Sequence, residues 1–307
     1  MVVTHGALQS ARGERGACAL TIGNFDGVHR GHRALVERVV AKARDLGLSS
    51  CVLTFEPHPR EYLSPAQAPA RLTRLRDKLE LLAATGVARV HIVHFDERFA
   101  ALPAERFVEE ALVRALGVRW LLVGRDFRFG ARRGGDFTLL QALGRRLGFD
   151  LEAMPDVPGE GERISSSAVR EALARGEFAR AERLLGHRYF ISGRVAHGAK
   201  LGRDLGFPTA NLVLRRAPPL SGIYVVEVEG YGPGVASVGR RPTVNPVALP
   251  LLEVHLLERD EPLYGRRLRV TFLKKLRDEA KFDGLAPLRA AIARDAREAK
   301  EFFAKNG

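Results

Sequence analysis

The chain has 307 residues, 46% of them hydrophobic, which is long for one domain and ordinary for two globular ones. Its only cysteines, Cys18 and Cys51, lie in apolar runs, which excludes a disulfide framework or a cysteine metal site and fits a reducing compartment. The net charge of +13 invites a nucleic-acid partner, but the arginines are scattered and the aromatics, at 7%, do not interleave with basic runs as a single-strand binder requires.

No apolar run approaches the length of a membrane span. Residues 1–15 lack the apolar stretch of a secretory signal, so the expected location is cytoplasmic.

Residues 18–22 read as a short buried strand, and 33–46 carry apolar residues at helical spacing (Leu35, Val36, Val39, Val40, Ala43, Leu46). Between them stands Gly23-Asn24-Phe25-Asp26-Gly27-Val28-His29-Arg30-Gly31-His32. The turn opens on a helix mouth, where backbone N–H groups favour anions. Neither of the two commonest glycine-rich phosphate loops occurs here. A bare His-x-Gly-His fits two phosphate-donating imidazoles, and equally two surface histidines on an amphipathic helix.

Residues 52–55 form a second buried strand, ending at Glu56-Pro57-His58-Pro59, a stiff turn. Helices at 75–85, 103–116 and 139–147 alternate with strands at 90–93, 120–124 and 151–154. This alternation predicts a doubly wound parallel α/β domain with its sites at the carboxyl ends of the strands. The fourth strand runs into Gly124-Arg125-Asp126-Phe127-Arg128-Phe129-Gly130. Farther on, Arg163-Ile164-Ser165-Ser166-Ser167-Ala168-Val169-Arg170 puts hydroxyls and two guanidiniums at a helix start; serines there cap helices, and with the arginines they can also meet a phosphate.

After Gly186 the runs become short and alternate at 189–195, 223–228, 234–238, 251–257 and 268–272, with turn residues between them. That pattern predicts a small antiparallel barrel, followed by a helix at 285–303. Its glycine-rich stretch, 193–211, holds Gly193, Gly198, Gly202 and Gly206 and closes on Phe207-Pro208-Thr209-Ala210-Asn211. Glu253 and His255 share one face of a strand.

The string from Gly23 to His32 resembles the nucleotidyltransferase site of the bacterial bifunctional riboflavin kinase/FAD synthetases. Thr54-Phe55-Glu56-Pro57-His58-Pro59, the Gly124–Gly130 segment and the Arg163–Arg170 segment are similar to the family's further nucleotide-contact motifs. Gly206-Phe207-Pro208-Thr209-Ala210-Asn211 resembles the riboflavin kinase Pro-Thr-Ala-Asn motif, and Leu276-Arg277 with Glu279, Lys281 and Phe282 completes the kinase signature. The resemblance spans the chain. It departs in a short, proline-bounded segment at 245–250 and at Asp126, where some members carry Asn.

The resemblance implies a nucleotidyltransferase domain of the HxGH type over 1–185 and a riboflavin kinase barrel over 186–307. In the first, FMN attacks the α-phosphate of ATP, giving FAD and pyrophosphate. His29 and His32 would serve that transfer. Gly23, Asn24, Phe25, Asp26, Gly31, His58 and Asp126 would border the nucleotide, and Arg163, Ser165, Ser166 and Arg170 would hold phosphates. In the second, Glu253 would be the base for the riboflavin hydroxyl. Thr209 and Asn211 would hold Mg²⁺ and ATP phosphate, with Gly193, Gly198, Gly202, Gly206, Pro208 and Arg266 about the ATP and flavin. The partners expected are these small molecules, with no nucleic acid and no membrane; a homo-oligomer is compatible with the sequence. The rival is a basic nucleic-acid-binding protein on a degenerate nucleotidyltransferase scaffold. It accounts for the charge but not for His29, His32, Thr209, Asn211 and Glu253 all being intact.

Overall fold

The computed structural model describes residues 1–6, 16–155, 162–197, 206–239, 249–259 and 263–306. Two compact units are present. The first comprises Met1–Pro69 and Lys78–Ile164; the second comprises Ala70–Asp77 and Ser165–Gly307. This division differs from a cut at 185/186, because residues 70–77 and 165–185 cluster with the barrel.

The first unit is built on a six-stranded parallel sheet: β1 (Val2–His5), β2 (Cys18–Ile22), β3 (Ser49–Glu56), β4 (Arg89–His94), β5 (Val118–Val123) and β6 (Asp150–Ala153), in the order β1-β4-β3-β2-β5-β6. All five residues of β2 are buried, as a central parallel strand covered on both faces must be. Alternate residues serve the two faces. Cys18, Leu20 and Ile22 join Leu121 and Val123 in one core with Val108, Leu112, Leu140 and Leu143. Ala19 joins Trp120 and Leu122 in another, against Val39 and Ala43 of helix Arg30–Asp45. This is the doubly wound arrangement that the alternation of elements predicts. Both cysteines are free and buried.

The chain steps from β2 to β3 to β4 on one side, then returns to place β5 on the other side of β2. That reversal makes the carboxyl ends of β2 and β5 a topological switch point, where open α/β sheets bind ligands. The segment from Gly23 to His32 leaves β2 there.

The second unit is a closed barrel of β7 (Phe190–Ala196), β8 (Ala210–Val213), β9 (Gly222–Val228), β10 (Gly232–Gly239), β11 (Leu251–Leu256) and β12 (Arg267–Arg277), in the order β10-β11-β8-β7-β12-β9. Strand β11 alternates strictly. Leu252, Val254 and Leu256 are buried, and Leu251, Glu253 and His255 are half-buried on the other face. The last helix, Leu285–Asn306, sets Ala299, Phe302 and Phe303 against Ile223, Val225 and Val235 of β9 and β10. Residues 70–77 are tied into this unit by polar contacts. The Arg71 N–H donates to the Ala217 carbonyl at 3.2 Å, Arg74 Nη1 to the Ser192 carbonyl at 2.8 Å, and Arg267 Nη2 to Asp77 Oδ1 at 2.8 Å.

Gly222 opens β9 at φ +123°, and a Cβ there would stand 2.5 Å from the Arg277 carbonyl oxygen on β12. Both the backbone angle and the space require glycine. Gly222→Ala should therefore cost about 2–4 kcal/mol, read as a lower urea midpoint for unfolding of the barrel.

Candidate active sites

In the first unit, β2 ends at Ile22, and the Gly23 N–H donates to the Leu53 carbonyl at 3.1 Å. The turn bends sharply: Phe25 and Val28, both fully buried, hold positive φ at 49° and 40°. Backbone strain held by a packed core is typical of functional turns. Thr54 Oγ1 donates to the Asn24 carbonyl at 3.2 Å, and the buried Lys78 ammonium stands 3.5 Å from Thr54 Oγ1.

His29 is the N-cap of helix Arg30–Asp45; its Nδ1 accepts from the His32 N–H at 3.2 Å. That bond fixes the tautomer, with the imidazole proton on Nε2. The two rings stack with centroids 3.6 Å apart and 14° between planes, and Phe25 lies 5.1 Å from His32. A Cβ at Gly31 would press on the His29 ring at 3.3 Å. The two imidazoles thus stand together at a helix mouth, not apart on a solvated face.

His58 closes β3 in the same manner, its Nδ1 accepting from the Arg60 N–H at 3.1 Å as N-cap of the short helix Pro59–Leu63. Asp126 follows β5 and faces Arg163 at 3.6 Å, both side chains largely exposed. Asp26 is buried in the turn. Ser165, Ser166 and Arg170 belong to the second unit. There Ser165 Oγ accepts from the Ala168 N–H at 3.2 Å, and Arg170 Nε donates to the Ala70 carbonyl at 2.7 Å.

In the second unit, a cleft of about 240 Å³ opens on the outer face of the barrel. Thr209, Ser237, Glu253, His255 and Glu279 give it a polar side; Phe282, Leu288 and Ile292 are among its apolar residues. Asn211 and Glu253 stand directly opposite on β8 and β11, and Glu253 is opposite Ser237 on β10, so the three share one face. Asn211 Nδ2 donates to the Thr209 carbonyl at 3.4 Å, while its buried Oδ1 has no donor among the described residues. His255 Nδ1 lies 3.0 Å from the Pro208 carbonyl, which fixes the chain entering β8. Arg277 grips the buried Asp295 through two nitrogens, Nε at 3.0 Å and Nη2 at 2.7 Å, in the cleft wall. Burial and the neighbouring Glu253 carboxylate hold the Glu279 carboxyl above the usual carboxylate range.

Of the other kinase positions, Gly193 lies within β7, where a Cβ would meet Arg74 Nη1 at 2.8 Å; its bareness serves packing. Gly206 is left-handed in open space. Arg266 donates to the Tyr231 hydroxyl at 3.0 Å and is not among the described residues lining the cleft. Gly198 and Gly202 lie outside the described residues, as do 245–248 of the short segment 245–250. Sequence reasoning passed over Lys78, Thr54 as a support of the turn, Ser237 and Asp295. Only Ser237 left a usable signal, as the barrel-strand residue in register with Glu253.

Two sites of this kind, one at an HxGH helix mouth and one beside a Thr-Ala-Asn strand facing a glutamate, define an enzyme that handles nucleoside triphosphates twice. Residues 11–168 match the family model described as FAD synthetase, and 185–303 match riboflavin kinase. A bifunctional riboflavin kinase/FMN adenylyltransferase of Escherichia coli K12 is 54% identical over 291 residues, covering 93% of each chain. Its counterpart in Pseudomonas fluorescens is 48% identical, covering 97% of this chain and 96% of its own. A solved structure titled a macrolide-efflux protein from Streptococcus pneumoniae superposes with a TM-score of 0.79 at 28% identity, covering 98% of this chain and 99% of that one. That title belongs to that protein; among the described residues here, no helix is long and apolar enough to cross a membrane. The chain belongs to the bifunctional riboflavin kinase/FMN adenylyltransferase family. It phosphorylates riboflavin to FMN and adenylylates FMN to FAD.

Proposed function

We propose that residues 186–307 carry the phosphorylation, with Glu253 as base, and that residues 1–185 carry the adenylylation, with His29 and His32 as donors to the reacting phosphate. The two family matches, 11–168 and 185–303, support that assignment of activities along the chain. The observation carrying the reading is that each catalytic set is assembled within its own unit: stacked His29 and His32 in one, Asn211 opposite Glu253 in the other.

In the kinase cleft, Glu253 takes the proton of the riboflavin 5′-hydroxyl. The freed oxygen attacks the γ-phosphorus of ATP, and ADP leaves. Thr209 lines the cleft and Asn211 stands opposite Glu253 on the neighbouring strand; both carry hard oxygens that suit Mg²⁺, and the donorless Asn211 Oδ1 fits that use. Bound there, Mg²⁺ would offset charge on the transferred phosphoryl group.

At the helix mouth, an oxygen of the FMN phosphate attacks the α-phosphorus of ATP and pyrophosphate leaves. The Nε2–H of His29 and the ring of His32 donate to the α-phosphate as charge builds in the transition state, with no covalent intermediate. Arg163 and Asp126 border the same side of the sheet. The same reading puts the enzyme in the cytoplasm, where ATP is supplied.

Purified protein incubated with riboflavin, ATP and Mg²⁺ should give FMN first and then FAD by chromatography, and neither when EDTA removes the metal. Undiminished turnover in EDTA would overturn the metal assignment. Absence of both flavins with Mg²⁺ present would overturn the whole reading.

A further inference from the structure

The kinase cleft holds a second carboxylate that phosphoryl transfer does not use. Glu279 follows β12 and lies over Gly239 of β10, where any Cβ would overlap its carboxylate. Among the described residues no cation or hydrogen-bond donor meets that group, and the charge that does act on it is the like charge of Glu253. Two carboxylates held near each other in a half-enclosed cleft do not help the fold. The open acceptor positions of Glu279 call for donors from a ligand.

The register says which part of the ligand. Asn211, Glu253 and Ser237 lie in one row across β8, β11 and β10, and Gly239, two residues beyond Ser237, carries Glu279 on the same face. Adjacent strands are about 4.8 Å apart. Glu279 therefore stands on the side of Glu253 away from Asn211. If Asn211 marks the phosphates and Glu253 the 5′-hydroxyl, the remainder of the ribityl chain runs toward Glu279. A polyol offers the hydroxyl donors that a bare carboxylate lacks.

We infer that Glu279 is a specificity-determining residue of the kinase, its carboxylate accepting hydrogen bonds from the 4′- and 3′-hydroxyls of riboflavin. The inference rests on the assignment of Glu253 and Asn211 proposed above. It predicts selection for a hydroxylated side chain, beyond recognition of the flavin ring.

The test uses the full-length protein and two flavins: riboflavin, and an analogue whose ribityl chain is replaced by 5-hydroxypentyl, which keeps only the reacting hydroxyl. Glu279→Ala should raise the riboflavin KM about tenfold or more, as loss of a charged hydrogen-bond acceptor does, with the ATP KM and FMN adenylylation unchanged. The analogue should bind poorly to the unmodified enzyme and lose nothing further in the variant. Glu279→Gln, which keeps the side chain's volume, should fall between. Equal penalties for both flavins would overturn the inference, as would a rise confined to the ATP or Mg²⁺ dependence. Retention of FMN formation by Glu253→Ala would instead break the underlying assignment, a result separable from the flavin comparison.

Discussion

Glu253→Ala should stop FMN formation from riboflavin and leave conversion of supplied FMN to FAD intact. A positioned general base contributes about 10²–10⁴ in rate, and the 5′-hydroxyl of riboflavin is a poor nucleophile without one. The structural cost of the substitution is small. Glu253 is half-buried on the outer face of β11, while Leu252 and Val254 on either side carry the barrel interior. Burial, the larger cause of the raised Glu279 carboxyl, stays in the variant; removing Glu253 takes away only the lesser cause, its like charge. Incubations of the variant with riboflavin plus ATP, and with FMN plus ATP, separate the outcomes. FMN made at the original rate would exclude Glu253 as base. Loss of both conversions in a folded protein would exclude two independent chemistries.

The sequence made most of the architecture legible because hydrophobic period and glycine punctuation coincide with element ends. Helix Phe178–Leu185 stops at Gly186, left-handed at φ 76°, where the composition shifts. Strand β1 escaped notice because four residues at a sheet edge, half of them exposed, carry no buried run. Strand β8 was hidden inside the Pro-Thr-Ala-Asn motif, which reads as a loop from its proline and glycines. The sequence also gave no sign that residues 70–77 belong with the barrel. Their attachment is made by Arg74, Asp77 and Arg267 across 118 positions or more, and long-range polar contacts leave no periodicity. At the sites, His29, His32, Thr209, Asn211 and Glu253 were readable as motifs, whereas their support was not. Lys78 and Thr54 reach the Asn24 turn only through the folded sheet.

The complementary result is expected of His29→Ala: FAD formation lost, FMN formation kept. Two effects combine, and they can be separated. The imidazole Nδ1 caps helix Arg30–Asp45 by accepting from the His32 N–H, a contact whose loss costs about 1 kcal/mol. In the proposed mechanism the Nε2–H donates to the α-phosphate, and removing one such preorganised donor costs about 10²–10³ in rate. The His32 ring, stacked at 3.6 Å, also loses the face that orients it, so the loss should reach or exceed the upper end of that range. His29→Asn distinguishes the causes, because an asparagine oxygen can accept the same backbone N–H. The cap would be restored, and with it stability against urea, while adenylylation stays low for want of the imidazole donor. An asparagine variant that regained FAD synthesis would reduce His29 to a helix cap and move the chemistry to His32. Kinase turnover in the same chain serves as the internal standard throughout, since its residues lie in the other compact unit.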